Sequence, residues 1–189
     1  MDHKKRVIIF EGIASSGKTT LERMIADSLP NSVVIKESET LMPLINNRNA
    51  NFALNHLLGI LDRIKKSSEE VLIVDRFHFT HAFRTQSPLA AFNVVEDRLN
   101  KLFSPRVVFL SIRKDLIGTR IQESVNLRGD SWKKGKQGNI VEKKEYYINQ
   151  QLELESMMKE TTLPVLSIDT SSKDWELYLS EIVKKHHDE

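Results

Sequence analysis

Five short apolar runs, each too brief for a helix, constrain this chain more than any other feature. They are Arg6–Phe10, Val33–Ile35, Val71–Val74, Arg106–Ile112 and Pro164–Ile168. Strands with one wet face alternate apolar with polar residues; these runs are nearly continuous, as in strands covered on both faces. Between them lie segments with helical periodicity: Leu21–Leu29, ended by Pro30-Asn31-Ser32, then Asn51–Lys65, Ala90–Phe103, Leu116–Val125, Val141–Met158 and Trp175–Lys185. In Asn51–Lys65 the residues Phe52, Leu54, Leu57, Leu58, Leu61 and Ile64 form one broad apolar face. Strand–helix alternation from end to end predicts an α/β fold, a parallel sheet between two helical layers. At 189 residues a single domain spanning 1–189 is expected. The least regular stretch, Asn126–Ile140, holds three glycines and reads as a loop.

Composition narrows the function classes. There is no cysteine, which excludes a disulfide scaffold, a thiolate metal site and a cysteine nucleophile. A net charge of +2 gives no argument for a nucleic-acid or anionic-membrane partner. No apolar run approaches the roughly 20 residues needed to span a bilayer. The basic Met1–Arg6 start is followed by only a few apolar residues before Glu11, unlike a signal-peptide core. A cytoplasmic protein is the expectation.

The first apolar run leads directly into Gly12-Ile13-Ala14-Ser15-Ser16-Gly17-Lys18-Thr19, a fit to G-x-x-x-x-G-K-[ST], and a periodic helix starts inside it. The octapeptide alone would arise by chance in about one chain of this length per hundred. Strand before and helix after make it a phosphate-binding loop. The two glycines let the backbone turn its N–H groups toward phosphate oxygens. The helix start adds its partial positive charge. Lys18 brings a flexible point charge to the β- and γ-phosphates, and the Thr19 hydroxyl suits Mg²⁺.

Asp75 and Arg76 follow the third strand, whose carboxyl end opens beside the loop in a parallel sheet. Asp75 is a candidate for holding the metal or its waters. Arg76 offers a planar fork to a phosphate. Glu37, just after the second strand, opens on the same edge and is suited to orient or deprotonate an acceptor hydroxyl; a solvated loop glutamate is an equal reading. Between Arg113 and Lys144 stand nine lysines and arginines against four acidic residues, a basic segment suited to close over polyphosphate as a mobile lid around 113–144. Arg113 and Arg120, two helical turns apart, would share a face if one helix held both. A solvated basic face is the better account of most of its lysines. Trp132 would contact a ligand or anchor the loop. His78 and His81 have no spacing that demands a metal, so surface or packing roles are expected.

These residues resemble the thymidylate kinase group of P-loop nucleoside and nucleotide kinases over nearly the whole chain. Phe10-Glu11-Gly12 through Thr19-Thr20 is similar to the group's F-E-G-x-x-x-x-G-K-T-T opening. Asp75-Arg76-Phe77, with Thr80 and Ala82-Phe83 behind it, resembles its D-R-Y segment. Arg120-Ile121 and Arg128 look like its transfer arginines, and Leu166-Ser167-Ile168-Asp169 like its fifth strand and adenine-side loop. The resemblance implies a three-layer P-loop NTPase fold with a five-stranded parallel sheet of order 2-3-1-4-5. It implies ATP and Mg²⁺, with the donor held by Gly12, Ala14, Ser15, Ser16, Gly17, Lys18, Thr19 and Thr20, the metal by Thr19 and Asp75, and transfer assisted by Lys18, Arg76, Arg120, Arg128 and Glu37. The implied partner is a small-molecule phosphate acceptor, with a homodimer left open.

The acceptor half departs from the pattern. Ala14 stands where the group usually carries an acidic residue that holds the acceptor sugar. Its R-E-P-G-G-T segment is reduced to Lys36-Glu37-Ser38, and the spacing from Arg76 to Ala82 is one residue short. Deoxynucleoside kinases share the loop and a glutamate after the second strand, but usually show E-R-S where this chain has Asp75-Arg76-Phe77. The expected activity is phosphoryl transfer to a nucleoside monophosphate. A deoxynucleoside or other small-molecule kinase, and a non-catalytic nucleotide-binding protein, are the alternatives.

Overall fold

The computed structural model describes residues 4–134 and 140–187, and the side chains of residues 4–127 and 143–185. Its five strands are β1 (Arg6–Gly12), β2 (Ser32–Ile35), β3 (Val71–Asp75), β4 (Ser104–Ser111) and β5 (Val165–Asp169). All pair in parallel, in the order β2-β3-β1-β4-β5. The sheet therefore has the expected topology, with β1 central.

Successive residues of a strand point to opposite faces, and here both faces are covered. Val7 and Ile9 of β1 join Leu72, Val74, Val107 and Phe109 on one side. They pack against Leu57 and Leu61 of α3 (Ala50–Lys66), Phe79 of α4 (His78–Thr85), Val95 and Leu99 of α5 (Asn93–Leu102), and Leu154 of α7 (Ile140–Glu160). Ile8 and Phe10 join Val71, Ile73, Val108 and Leu110 on the other, against Leu21 and Ile25 of α1 (Lys18–Ser28) and Tyr178 and Ile182 of α8 (Trp175–His187). Each such side chain, fully buried, contributes roughly 1.5–3 kcal/mol. That double burial is why the strand runs lack polar alternation.

A third cluster locks the functional edge. Ile13 of the glycine-rich loop packs with Ile112 and with Ile117 and Ile121 of α6 (Ile117–Lys134), and with Tyr147 and Ile148 of α7. The loop thus rests on an apolar plug that also carries the basic helix.

Several elements differ from the sequence expectation. Glu37 opens a one-turn helix, α2 (Glu37–Thr40), where a loop was expected; the Lys36 N–H donates to Glu39 Oε1 at its start. Residues 78–85, which carried no expectation, form α4. The segment expected as one helix over Ala90–Phe103 begins as a 3-10 turn, Leu89–Phe92, and turns α-helical only from Asn93. The loop expected over Asn126–Ile140 is helical through Lys134, and α7 starts at Ile140. Leu127, Arg128, Trp132, Lys133 and Lys134 all tolerate a helix, and the single interior Gly129 costs only about 1 kcal/mol. Residues 135–139 and the Arg128 and Trp132 side chains lie outside the described residues. Arg113 precedes α6 and pairs with Asp115 at 2.7 Å, so it shares no helix face with Arg120.

Candidate active site at the carboxyl edge of the sheet

The register explains which side chains meet. Phe10 pairs with Asp75, and Gly12 with Leu110. The chain leaves β1 for the loop just beyond the point where β3 ends in Asp75. Arg76 then turns back: its N–H donates to Phe10 O at 2.9 Å and its φ is +59°, a left-handed conformation costing a side-chain-bearing residue roughly 1–2 kcal/mol. The turn aims the guanidinium along the sheet edge. Glu11, fully buried, supports it by accepting hydrogen bonds from the N–H groups of Phe77 (2.7 Å) and Thr80 (3.3 Å) and from Thr80 Oγ1 (2.6 Å). Burial pushes Glu11 above the usual carboxylate range, and these bonds pull it back. The glutamate of the F-E-G opening is thus a strut between β1 and α4.

The loop requires glycine at two positions for different reasons. At Gly12 (φ +141°) a Cβ would fall 2.4 Å from Leu110 O, a backbone atom with no freedom to retreat. At Gly17 (φ +96°) it would fall 2.4 Å from the Trp175 indole. Trp175 therefore packs against the start of α1, with the Arg120 guanidinium 5.6 Å from its ring centre. Arg120 Nε reaches Ser15 O at 3.4 Å. Lys18 folds across the loop, donating to Gly12 O at 2.9 Å and Ile13 O at 3.0 Å. Burial, and secondarily the Arg76 guanidinium, push Lys18 down to about 8, against the pull of Asp75, Glu37 and Glu22. A buried ammonium stripped of its hydration in this way is suited to a polyanion.

Among the described residues, no group of three or more His, Cys, Asp or Glu side chains forms a metal cage. Mg²⁺ in nucleotide sites is commonly held by one or two carboxylates together with the substrate's own phosphates. The buried Asp75 Oδ1 has no hydrogen-bond partner within the chain, and neither do Ser15 Oγ, Ser16 Oγ and Arg120 Nη1 around the loop. Unpartnered buried groups of this kind cost about 1–3 kcal/mol each unless a ligand satisfies them. This donor set fits a phosphate chain with a divalent cation, and Thr19 is exposed on the same cleft.

That cleft, about 1640 Å³, runs from Lys173 and Trp175 past the loop to Met157 and Glu160. Its second half brings together Glu37, Arg48, Arg76, Arg84 and Tyr146. Arg76 Nε lies 3.2 Å from Glu37 Oε1, an ion-pair distance without hydrogen-bond alignment. Arg76 Nη1 donates to Thr80 Oγ1 at 3.4 Å. Arg84 donates to Ile45 O at 2.5 Å, and burial, with Arg48 and Arg76 adding to it, depresses its pKa. Phe83 meets Tyr146 edge-on, ring centres 5.7 Å apart. Asp75 is tied in by its carbonyl, which accepts from Thr40 Oγ1 at 2.6 Å. His81 in turn contacts Thr40 O at 3.0 Å; burial pushes it down to about 4, so its neutral ring donates from Nε2. His78 is buried against Glu96 at 3.1 Å, away from the cleft lining.

The structure therefore gathers Lys18, Thr19, Asp75, Arg76, Glu37 and Arg120 around one opening, with Gly12, Ala14, Ser15, Ser16, Gly17 and Thr20 in or beside the loop. Sequence reasoning missed Arg84, Arg48, Tyr146, Trp175 and Glu22. Glu22 had a readable signal: it is one helical turn past Lys18, on the same face. Arg48 and Arg84 had none, because their meeting depends on how α3 and α4 pack.

The sheet order and the glycine-rich loop define a three-layer α/β/α fold of the P-loop type. No protein-family model and no curated protein matches the sequence. The structure is similar to that of Bacillus subtilis YorR in complex with phosphorylated GDP, at 17% identity and a TM-score of 0.66, over 96% of this chain and 98% of that one. It is also similar to thymidylate kinase from Candida albicans, at 15% identity and a TM-score of 0.59, covering 100% and 93%. Deoxyadenosine kinase from M. mycoides matches at 18% identity and a TM-score of 0.55, covering 97% and 100%. No helix among the described residues is long and apolar enough to cross a membrane.

Proposed function

We propose that the protein is an ATP- and Mg²⁺-dependent kinase that phosphorylates a nucleoside monophosphate. One observation carries the reading: the donor loop with Lys18 opens into the same cleft as the arginines Arg48, Arg76 and Arg84. Two anion-handling sites face each other across the space where a phosphoryl group would pass. The similarity to thymidylate and deoxyadenosine kinases supports it at the level of the fold.

In this reading the loop N–H groups and Lys18 hold the β- and γ-phosphates, Lys18 leaving the carbonyls of Gly12 and Ile13 to do so. Thr19 and Asp75 would hold Mg²⁺, which would supply positive charge against the phosphates. Arg120 and Trp175 border the donor half. The acceptor phosphate takes Arg76 from Glu37, so that one of its oxygens lies in line with the γ-phosphorus. The new P–O bond forms as the bond to the β-phosphate oxygen breaks, and ADP leaves. A monophosphate oxygen is already anionic near neutral pH, so no strong base is needed. Catalysis is positioning and electrostatic stabilisation.

A second reading, a nucleoside kinase, is favoured by Glu37. Its carboxylate stands at the acceptor edge, where it would accept the proton of an attacking hydroxyl. Acceptor-dependent ADP release across a panel of nucleosides and their monophosphates separates the two. Release with monophosphates alone upholds the first reading, and release with nucleosides alone the second. No release with any acceptor, despite ATP binding, would leave a non-catalytic nucleotide-binding protein.

A further inference from the structure

We propose that Glu22 is a second carboxylate of the divalent-cation site, acting beside Asp75 and Thr19. The inference rests on the kinase reading above, since the cation is the one that accompanies ATP. Glu22 stands four residues past Lys18 on α1, on the helix face turned toward the sheet. Glutamate is ordinarily exposed, yet this one, on the inward face, is 4% exposed. Its carboxyl neighbours that of Asp75, itself 7% exposed at the end of β3. Even so, Glu22 Oε1 and Asp75 Oδ1 are both buried without a partner.

Two carboxylates lying together beside a phosphate-binding loop would repel the ligand the loop is built to hold. Lys18 and Arg76, the cations nearest the pair, are drawn on by Glu37 as well. A divalent cation between the carboxylates and the phosphates resolves both conflicts. It supplies the missing charge and gives the two unpartnered oxygens something to face. It also matches the preference of Mg²⁺ for one or two carboxylates completed by water and phosphate oxygens.

The test is Mn²⁺ affinity of the protein–ATP complex, read by electron paramagnetic resonance, beside ATP affinity measured in EDTA. Glu22→Gln keeps shape and hydrogen-bonding capacity but removes the anionic oxygen. Mn²⁺ affinity is expected to fall at least about 10-fold, the lower end of what losing even an outer partner of a metal ligand costs. Metal-free ATP affinity should hold or tighten. If Glu22 only props Asp75, the amide serves equally; unchanged Mn²⁺ affinity overturns the proposal. Should that variant not fold, Glu22→Asp carries the test, with affinity several-fold weaker expected and wild-type affinity overturning it. Failure of the wild-type protein to bind ATP in the presence of the divalent cation as well as in EDTA would instead overturn the kinase reading, and this inference with it.

Discussion

The contact between Gly17 and Trp175 yields a prediction whose size follows from the coordinates. In Gly17→Ala the new Cβ would meet the indole at 2.4 Å, more than 1 Å inside the optimum carbon–carbon separation of roughly 3.5–4.0 Å. Either the indole moves or the start of α1 does. Forced repacking of that size costs about 1–3 kcal/mol. The φ of +96° adds a cost of roughly 1–2 kcal/mol for any residue with a Cβ. The total is about 2–5 kcal/mol, or roughly 4–20 °C in melting temperature for a chain of this length. Trp175→Ala removes the collision but leaves the backbone cost. A double-mutant cycle in urea should therefore show Gly17→Ala less damaging in the Trp175→Ala background by about 1–3 kcal/mol. ATP affinity should recover in parallel, because the displaced element is the phosphate loop. Additivity within about 0.5 kcal/mol would refute the reasoning: the indole would then be yielding freely, and its place on the loop would be incidental.

Three further outcomes are expected. Lys18→Ala should fold normally by circular dichroism while turnover falls on the order of 10²–10³-fold, the scale for one positioned electrostatic donor; near-normal turnover would remove Lys18 from the chemistry. Arg76→Ala should raise the acceptor KM or lower kcat with ATP affinity little changed, and an equal loss of ATP binding would place Arg76 on the donor side. Glu96 tests the fold. Burial works against its charge, but hydrogen bonds with His78, Thr161 Oγ1 and the Thr162 N–H hold it down at about 2, below its ordinary 4.5. A depressed carboxylate stabilises the protein above the unfolded value and loses that contribution as pH falls from about 4.5 through 2. Glu96→Gln should therefore cost about 1–3 kcal/mol in urea at pH 7, with a smaller gap at pH 3.5; an equal gap at both would show that the charge is not what matters.

The parallel sheet was legible because strands buried on both faces leave a plain signature, while its strand order came only from the family resemblance. Val71–Val74 is apolar at every position since Leu72 and Val74 meet one helical layer and Val71 and Ile73 the other. What escaped was local. The one-turn α2 has no length over which a period could show. α4 opens at Phe77 with no side-chain cap, and its buried residues include His78, Thr80 and His81, polar types that mask an inward-facing helix. The reading of Asn126–Ile140 as loop gave three glycines more weight than their spacing warrants, since Gly129 alone falls within the helical residues.

The site divides along the same physical line. Gly12–Thr19 was readable because a phosphate loop is made mostly of backbone, and backbone conformation is encoded by adjacent residues: glycine where φ is positive or another chain comes close. Asp75 and Arg76 were readable because a strand end has a known edge. The acceptor half is made of side chains from α2, α4 and α7 and the segment before α3, elements far apart in sequence whose meeting is decided by packing. Arg84 reaches the cleft only because α4 is tethered at its start by Glu11 and packed against α3 and α7. A helix anchored at one end and packed along its length can be re-aimed by modest changes at its far turn while the loop stays intact. In the proposed kinase, acceptor choice could then shift through α4 and α7 with the donor cradle unaltered, which fits a sequence that matches the resembled group's donor motif and departs from its acceptor motif.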